Sequence, residues 1–274
     1  MRLKRNGAPV HPKPYLASQA SRRSDARKRW SHARERLKNQ EIRDFVHEKP
    51  RIGWTPEIIA GRIGMHIDGT KTNYESIYLY IYKEQKRLVK YLPQGHKRRK
   101  TRRTGKSRRV CDIPDRKFID ERPAVINERI RVDDREADTI ASRQSKAALV
   151  VLRERKLQIA LIAKVERITA EEVKNSIVNL LRKFPGSCRK SITYDNGKEF
   201  AAHAKISQSL NVESYFCHPY HSREKGSVEN TNGLIRRFFP KKTNFDLIST
   251  KDIKSVEKLL NNQPRKSLGF FNTE

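Results

Sequence analysis

The sequence has 274 residues, enough for one full globular domain and a smaller one. Its 61 Lys and Arg outnumber 31 Asp and Glu, which gives a formal net charge of +30. So many positive charges repel one another in a compact chain, which indicates a polyanionic binding partner. Nucleic acid is favoured as this partner over an anionic membrane surface. No apolar run approaches the roughly 20 residues that span a bilayer, and none follows the basic Met1–Arg5. We therefore expect neither a membrane span nor a signal peptide.

The cysteines indicate a reducing compartment. Cys111, Cys188 and Cys217 are widely spaced and odd in number, and no CxxC pair is present. This pattern predicts free thiols in a reducing cytoplasm. Cys217 and His218, with His221 and Cys188, could suggest zinc, but the paired spacing of zinc ligands is missing, so free thiols and imidazoles are favoured.

The N-terminal third predicts a basic helical region. Residues 1–23 contain no hydrophobic period and are expected to form an irregular basic lead. From Ser24 to about Glu48, Arg, Lys, Glu and Ala dominate, which favours a helix that Pro50 and Gly53 end. We assign residues 24–93 to one helical region.

Two shorter helices complete this region. Thr55 is a suitable N-cap, Pro56 suits the first helical position, and Gly64 is a plausible stop. A polar turn then leads to a second helix over Tyr74–Tyr82. The pair predicts a DNA-binding helix-turn-helix, although a purely structural helical hairpin shows the same pattern.

Residues 94–127 form a predicted basic linker. A charge run is ordinarily a solvated surface, but the position of this one between two folded segments favours contact with phosphates. The residues expected to contact DNA here are Lys97, Arg98, Arg99, Lys100, Arg102 and Arg103.

Residues 128–274 predict an α/β domain. A capping box at Thr169 and Glu172 opens a helix between the third and fourth predicted strands. The predicted strands are Glu136–Ile140, Ala147–Leu152, Leu157–Val165, Ser191–Asp195 and Val212–Phe216, and the later helices are Glu199–Leu210 and Ser227–Phe239. The order β-β-β-α-β-α-β-α is that of a ribonuclease-H-like fold, a mixed sheet flanked by helices.

Three carboxylates stand apart from the surface charges. Asp138 lies within the first predicted strand, Asp195 ends a central strand before a turn, and Glu229 lies on a late helix. Carboxylate oxygens are the ligands that Mg²⁺ prefers, and a few suffice to hold it. Two such ions can activate an attacking hydroxyl and stabilise a leaving oxygen. Three carboxylates and two metals are therefore chemically sufficient for phosphoryl transfer.

Five segments resemble the DDE transposases of the insertion-sequence family numbered thirty: Arg135–Ile140, Tyr194–Phe200, Gly226–Arg236, Phe239–Lys241 and Leu260–Lys266. The resemblance covers roughly residues 15 to 270. Its most specific features are the 33 residues between the second and third carboxylates and the Glu-Asn-Thr-Asn-Gly run.

The resemblance implies a ribonuclease-H-like integrase core, Mg²⁺ or Mn²⁺ (two ions), and cutting and rejoining of double-stranded DNA at terminal inverted repeats. It implies that Asp138, Asp195 and Glu229 are the catalytic and metal-binding triad, and that a homodimer forms on DNA. His203 matches a histidine that often follows the second aspartate, although a surface helix histidine is favoured. We also expect Arg236, on the helix of Glu229, to contact DNA.

The chain departs from the family pattern at two tryptophan positions. Arg135 replaces one shortly before the first aspartate, and Arg223 replaces one before the glutamate. These arginines would weaken activity or tighten phosphate contact. The family's first helix-turn-helix is absent, and the chain ends short of the usual final helix. We therefore expect an intact triad with reduced or absent activity in cells.

The sequence is compatible with three functions. The first is that of a DDE transposase, and the second is that of a truncated, catalytically weak module that occupies terminal repeats or represses its promoter. The third is that of a basic structural protein associated with RNA or chromatin. The last needs no ordered carboxylates. The segments around Asp195 and Glu229 therefore speak against it.

Overall fold

The computed structural model describes residues 17–33, 37–67, 69–93, 113–219, 224 and 226–272. The predicted DNA-contacting residues of the basic linker lie outside the described residues, as does Arg223. Among the helices of the described ranges, none is long and apolar enough to cross a membrane.

The N-terminal part of the described chain is helical. Its helices are α1 (Ala17–Ala33), α2 (Gln40–Glu48), α3 (Pro56–His66) and α4 (Tyr74–Lys83), with 3₁₀ turns at Lys49–Ile52 and Lys86–Tyr91. The helix predicted from Ser24 to Glu48 is thus two helices, and α1 begins inside the segment predicted to be irregular. The side chain of Asn39 accepts a hydrogen bond from the Glu41 N–H at 2.8 Å, and this N-cap begins α2 as a separate helix. Ala20 is the one buried residue among 17–30, so α1 has no apolar stripe for the sequence to reveal.

The predicted helical pair is confirmed. The Thr55 hydroxyl accepts from the Ile58 N–H at 3.3 Å at the start of α3, and Asn73 caps α4. The predicted stop at Gly64 is wrong, because α3 continues for two more residues. A Cβ on Gly64 would lie 3.2 Å from the Thr70 carbonyl oxygen, so this glycine permits a close approach of the following turn.

This helical region has its own hydrophobic core. Apolar side chains of α2, α3 and α4 meet there, together with the 3₁₀ turn after α4. The fully buried members are Val46, Ile59, Ile63, Ile77 and Ile81.

Within residues 113–219 five strands form one mixed sheet. They are β1 (Asp134–Ala141), β2 (Ala148–Glu154), β3 (Ala160–Val165), β4 (Ser191–Tyr194) and β5 (Glu213–Phe216). The order across the sheet is β3-β2-β1-β4-β5; the first three strands are antiparallel, and β1, β4 and β5 are parallel. The predicted strand and helix order and the ribonuclease-H-like fold class are confirmed.

Helices cover both faces of this sheet. They are α5 (Ala170–Leu181), α6 (His203–Leu210), α7 (Gly226–Phe238) and α8 (Thr250–Asn261). Helices α5 and α6 pack on one face over Ile192 and Phe216, whereas α7 and α8 pack on the other over Ile140 and Val151. β1, buried on both faces, therefore lies at the centre of the domain.

Helix α8 was not predicted, although its sequence carries helix signals. The Ser249 hydroxyl accepts from the Asp252 N–H at 3.1 Å, and the Asp252 carboxylate accepts from the Ser249 N–H at 3.2 Å. Buried Ile253, Val256 and Leu260 follow at helical spacing.

Side chains of α8 cover the exposed edge of β3. Glu257 accepts from the Ile162 N–H at 2.5 Å, and the Asn261 amide makes two 2.8 Å hydrogen bonds with the backbone of Ala160. These contacts occupy backbone groups that would otherwise be open to pairing with another chain.

Candidate active site

Asp138 lies on β1, and Asp195 directly follows the last residue of the adjacent parallel strand β4. The register of β1 and β4 ends with the pair Glu136 and Thr193; Asp138 follows two residues later on β1, and Asp195 two residues later, just past the end of β4. Neighbouring strands are about 4.8 Å apart. The sheet topology therefore places Asp138 and Asp195 toward the same end of these two strands.

Helix α7 lies over the face that carries Asp138. Alternation along β1 puts Glu136 and Asp138 on one face, and both accept hydrogen bonds from α7. The Val228 N–H donates to Glu136 Oε2 at 3.0 Å, and Asn232 Nδ2 donates to Asp138 Oδ2 at 2.6 Å. Two contacts, one helical turn apart, thus fix α7 along β1.

Glu229 lies at the rim of the same face. Val228 and Thr231 are fully buried under α7, while Glu229 is exposed. Glu229 is three residues before Asn232, so the two side chains are neighbours on the helix surface. Since Asn232 contacts Asp138, Glu229 lies about one helical turn from the residue that holds Asp138.

Asp138, Asp195 and Glu229 do not form a closed set of metal ligands. Among the described residues, no group of three His, Cys, Asp or Glu side chains could hold a metal ion as it stands. The Asn232 amide holds Asp138, and the Gly197 N–H donates to Asp195 Oδ1 at 3.1 Å. The carboxylates of Asp138, Asp195 and Glu229 carry like charges, so they repel one another and electrostatic attraction does not draw them together.

Glu136 supports the site, and the sequence analysis missed its role. Its side chain is fully buried, and its Oε1 lies 2.6 Å from Nη1 of Arg155, which is itself 5% exposed. Its other oxygen accepts from an N–H in the first turn of α7, where a carboxylate also complements the helix dipole. Its place two residues before Asp138 on the same strand face was the available signal.

A second buried cation lies beside Glu136. Arg153 is directly opposite Glu136 in the β1–β2 register and is 2% exposed. Burial, together with the nearby Arg265, lowers the pKa of Arg153 to about 9, although Glu136 acts in the opposite direction. Arg153 thus adds buried positive charge next to Glu136.

The loop after β4 is tied to the end of β5. Asn196 Nδ2 donates to the Cys217 carbonyl oxygen at 2.7 Å, and Arg116 donates to Asn196 Oδ1 at 2.5 Å. The Cys217 N–H donates in turn to the Tyr194 carbonyl oxygen at 2.9 Å. These bonds fix the backbone on which Asp195 stands.

Arg135 lies on the face opposite the carboxylates. It is 5% exposed, donates to the Cys188 carbonyl oxygen at 3.0 Å and lies over the Phe184 ring at 5.5 Å. Of the two expected effects of Arg135, weaker activity or tighter phosphate contact, the second does not fit this position, because alternation along β1 directs the side chain into the core beside α5. There it packs as an aromatic ring would.

Arg236 is engaged within the protein. Its Nη2 donates to the Ala141 carbonyl oxygen at 2.6 Å, and its guanidinium lies 5.6 Å from the Phe245 ring centroid. Burial and the nearby Arg143 lower the pKa of Arg236. The side chain thereby anchors α7 to the end of β1, and its contact with DNA stays a prediction.

His203 is not a surface residue. It is 4% exposed, its Nε2 lies 3.0 Å from the Pro114 carbonyl oxygen, and its ring meets Phe216 edge to face at 4.8 Å. The favoured surface interpretation was wrong, because α6 turns this residue into the core. Among the described residues, Cys188 and Cys217 are not joined in a disulfide.

His218 joins two loops next to the site. Its Nδ1 lies 3.1 Å from Glu224 Oε1, its Nε2 lies 2.7 Å from Asp120 Oδ2, and its ring stacks on Phe118 at 5.4 Å. The hydrogen bond to Glu224, followed by the charge of Asp120, raises the pKa of His218. Glu224 lies two residues before Gly226, where α7 begins, so its contact with His218 holds the chain close to the start of the helix that carries Glu229.

The chain is similar to known transposases. The transposase of insertion sequence element IS4351 from Bacteroides fragilis is 39% identical over 262 residues, which cover 94% of this chain and 78% of that relative. The transposase of IS1086 from Cupriavidus metallidurans is 32% identical over 237 residues (84% and 68%). Transposase InsI of IS30A from Escherichia coli is 31% identical over 242 residues (85% and 63%). No protein-family model matches the sequence.

Proposed function

The chain belongs to the IS30 family of insertion-sequence transposases, and we propose that it binds the terminal inverted repeats of its element and catalyses metal-dependent cleavage and strand transfer of DNA. The observation that carries this proposal is the placement of Asp138 on β1 and of Asp195 directly after the parallel β4, with α7, the helix of Glu229, bonded to β1 through Asn232. Family membership suggests a divalent metal requirement.

The donor set fits a hard divalent cation. Carboxylate oxygens are the preferred ligands of Mg²⁺ and Mn²⁺, and Asp138, Asp195 and Glu229 would hold two such ions. When bound, these ions activate the attacking hydroxyl and stabilise the leaving oxygen of an in-line displacement.

The remaining residues of the site orient these carboxylates. Asn232 holds Asp138 through its amide, and Glu136 holds the first turn of α7, so the backbone of Glu229 keeps a fixed place beside β1. Phosphoryl transfer depends mainly on positioning and charge neutralisation, and a preorganised frame of this kind supplies the positioning.

DNA binding is assigned to the helical region and the basic linker. The helices α3 and α4 form a capped pair with its own core, which supports a helix-turn-helix. The net charge of +30 supplies many cations for phosphates. A homodimer that pairs two DNA ends stays a prediction.

Cleavage of the element's own ends tests the proposal. A duplex with a terminal inverted repeat is incubated with the wild type or Asp195→Ala in Mg²⁺, Mn²⁺ or a chelator. We expect the wild type to nick and join DNA in either metal, and we expect no product with the chelator or with Asp195→Ala. The matched control is Asp246→Ala, because Asp246 is exposed and lies after α7, outside the triad. This variant should keep activity.

Binding without processing would overturn the catalytic part of this proposal. If the wild type and Asp195→Ala bind the repeat equally and both leave it uncut in Mn²⁺, the chain acts as a binding or repressor module. A repeat that is bound no better than unrelated DNA would instead contradict the recognition step.

A further inference from the structure

Arg237, in the last turn of α7, reaches into the helical region. Its Nη1 donates to the Gly53 carbonyl oxygen at 2.7 Å, and its Nη2 donates to the carbonyl oxygens of Pro50, at 3.3 Å, and Tyr91. One side chain of the catalytic domain thus binds two separate segments of the N-terminal region.

The chemistry of these acceptors suits a guanidinium. Pro50 and Tyr91 lie in the two 3₁₀ turns, Lys49–Ile52 and Lys86–Tyr91, and Gly53 directly follows the first. Carbonyls at helix C-termini carry partial negative charge and favour a cation. A planar guanidinium has five N–H donors and can serve several carbonyls at once, whereas a lysine ammonium is a single point of charge.

Gly53 shows how closely the two parts approach. It has a φ of +97°, and a Cβ there would lie 2.5 Å from Gln263 Nε2 and 3.3 Å from Phe238 Cζ. Both neighbours belong to the catalytic domain. Glycine is therefore required at this position by its backbone conformation and by the contact itself.

A second contact lies on α3. A Cβ on Gly61 would collide with the Phe270 ring, and Arg62 Nη1 donates to the Phe270 carbonyl oxygen at 2.8 Å. Lys266 and Glu57 form an exposed ion pair at 2.6 Å, which contributes little by itself. The segment after α8 thereby docks on the first helix of the helix-turn-helix pair.

We propose that Arg237 is a positioning residue that fixes the helical region relative to α7 and so sets the position at which DNA is cut. Glu229 and Arg237 lie on one helix, eight residues or about 12 Å apart. A repeat held by α3 and α4 therefore meets the carboxylates at a fixed distance. This inference rests on the proposed function, because it concerns where the cut falls.

The test compares Arg237→Met and Arg237→Lys with Arg182→Ala, an exposed arginine directly after α5 that serves as control. Amide hydrogen exchange is measured over 49–53 and 86–92, and cut positions are mapped on a terminal-repeat duplex. We expect exchange to rise at least about 10-fold in Arg237→Met, which corresponds to roughly one lost charge-assisted hydrogen bond. We expect cuts to scatter over several nucleotides while affinity for the repeat stays within about twofold; Arg237→Lys should be intermediate.

Gly61→Ala provides an independent variant if Arg237→Met fails to fold. Alanine favours a helix over glycine, so loosened docking in this variant comes from the collision with Phe270, and cuts should scatter again. A folded Arg237→Met with wild-type cut positions and wild-type exchange would overturn the proposal. If the wild type does not cut at all, the proposed function fails separately, and the exchange result alone decides whether Arg237 fixes the two parts together.

Discussion

Replacing Glu136 by alanine removes two buried contacts at once. Arg155 loses its carboxylate partner at 2.6 Å, and the Val228 N–H loses its acceptor. Breaking a buried ion pair from one side costs about 3–5 kcal/mol, because the other charge stays buried. The total stability of a domain is about 5–15 kcal/mol, so this one change should remove a large part of it. The expected fall in Tm is roughly 10 °C.

The double variant Glu136→Leu with Arg155→Met separates stability from catalysis. Replacing both charges by apolar side chains is often nearly neutral, so most of the lost stability should return. Strand transfer should stay low, because α7 still lacks its anchor in the first turn. Urea unfolding and a strand-transfer assay measure the two effects, and the exposed Glu213→Ala is the control. A cost below about 1 kcal/mol for Glu136→Ala, or a double variant as unstable as the single one, would refute the reasoning.

Three further predictions concern pH, the sheet edge and salt. The pKa of His218 is raised by Glu224 and Asp120, so its stabilising contribution is complete below about pH 6.5 and is lost as the pH rises through the folded pKa. His218→Gln should therefore narrow the stability difference between pH 6 and pH 8 in urea unfolding; an unchanged difference would contradict this. Asn261→Ala should lower the free energy of unfolding by about 1–3 kcal/mol and promote aggregation, which light scattering measures. The reason is that the backbone N–H and the carbonyl oxygen of Ala160 both lose the Asn261 amide as their hydrogen-bond partner. A monodisperse variant of full stability would count against this prediction. Repeat affinity should fall by about 10³ or more between 50 and 200 mM salt, and a flat dependence in a filter-binding assay would exclude extensive phosphate contact.

The sequence predicted the α/β domain well because its signals are local and strong. Strands such as β2 are continuous apolar runs, and the stripe of α5 follows a recognisable cap at Thr169. The order of elements then leaves few topologies, so the pairing of β1 with β4 could be anticipated.

The errors arose where tertiary contacts decide. Alternation along β1 sends Arg135 into the core, and this was decided by the strand's position at the centre of the sheet. On α6, the packing of the helix likewise turns His203 toward the core. Gly64 was taken for a helix stop, whereas its lack of a side chain serves a close backbone approach. A local pattern contains none of this information.

Contacts between distant segments were also invisible in the sequence. Arg237 is one basic residue among many on the chain, and only the fold shows that it binds carbonyls more than 140 positions away. Glu136 resembles a surface charge in the sequence, whereas the fold gives it a buried partner in Arg155, directly after β2, and an acceptor role toward α7.

Metal rescue of a cysteine variant tests the central claim most directly. Asp195→Cys exchanges a hard oxygen ligand for a thiolate, which binds Mn²⁺ better than Mg²⁺. Cleavage of a terminal-repeat duplex is measured for this variant and for the wild type in each metal. If Asp195 holds the catalytic ion, the variant is inactive in Mg²⁺ and regains activity in Mn²⁺, while the wild type works in both. Wild-type cleavage by Asp195→Cys in Mg²⁺ would contradict the account.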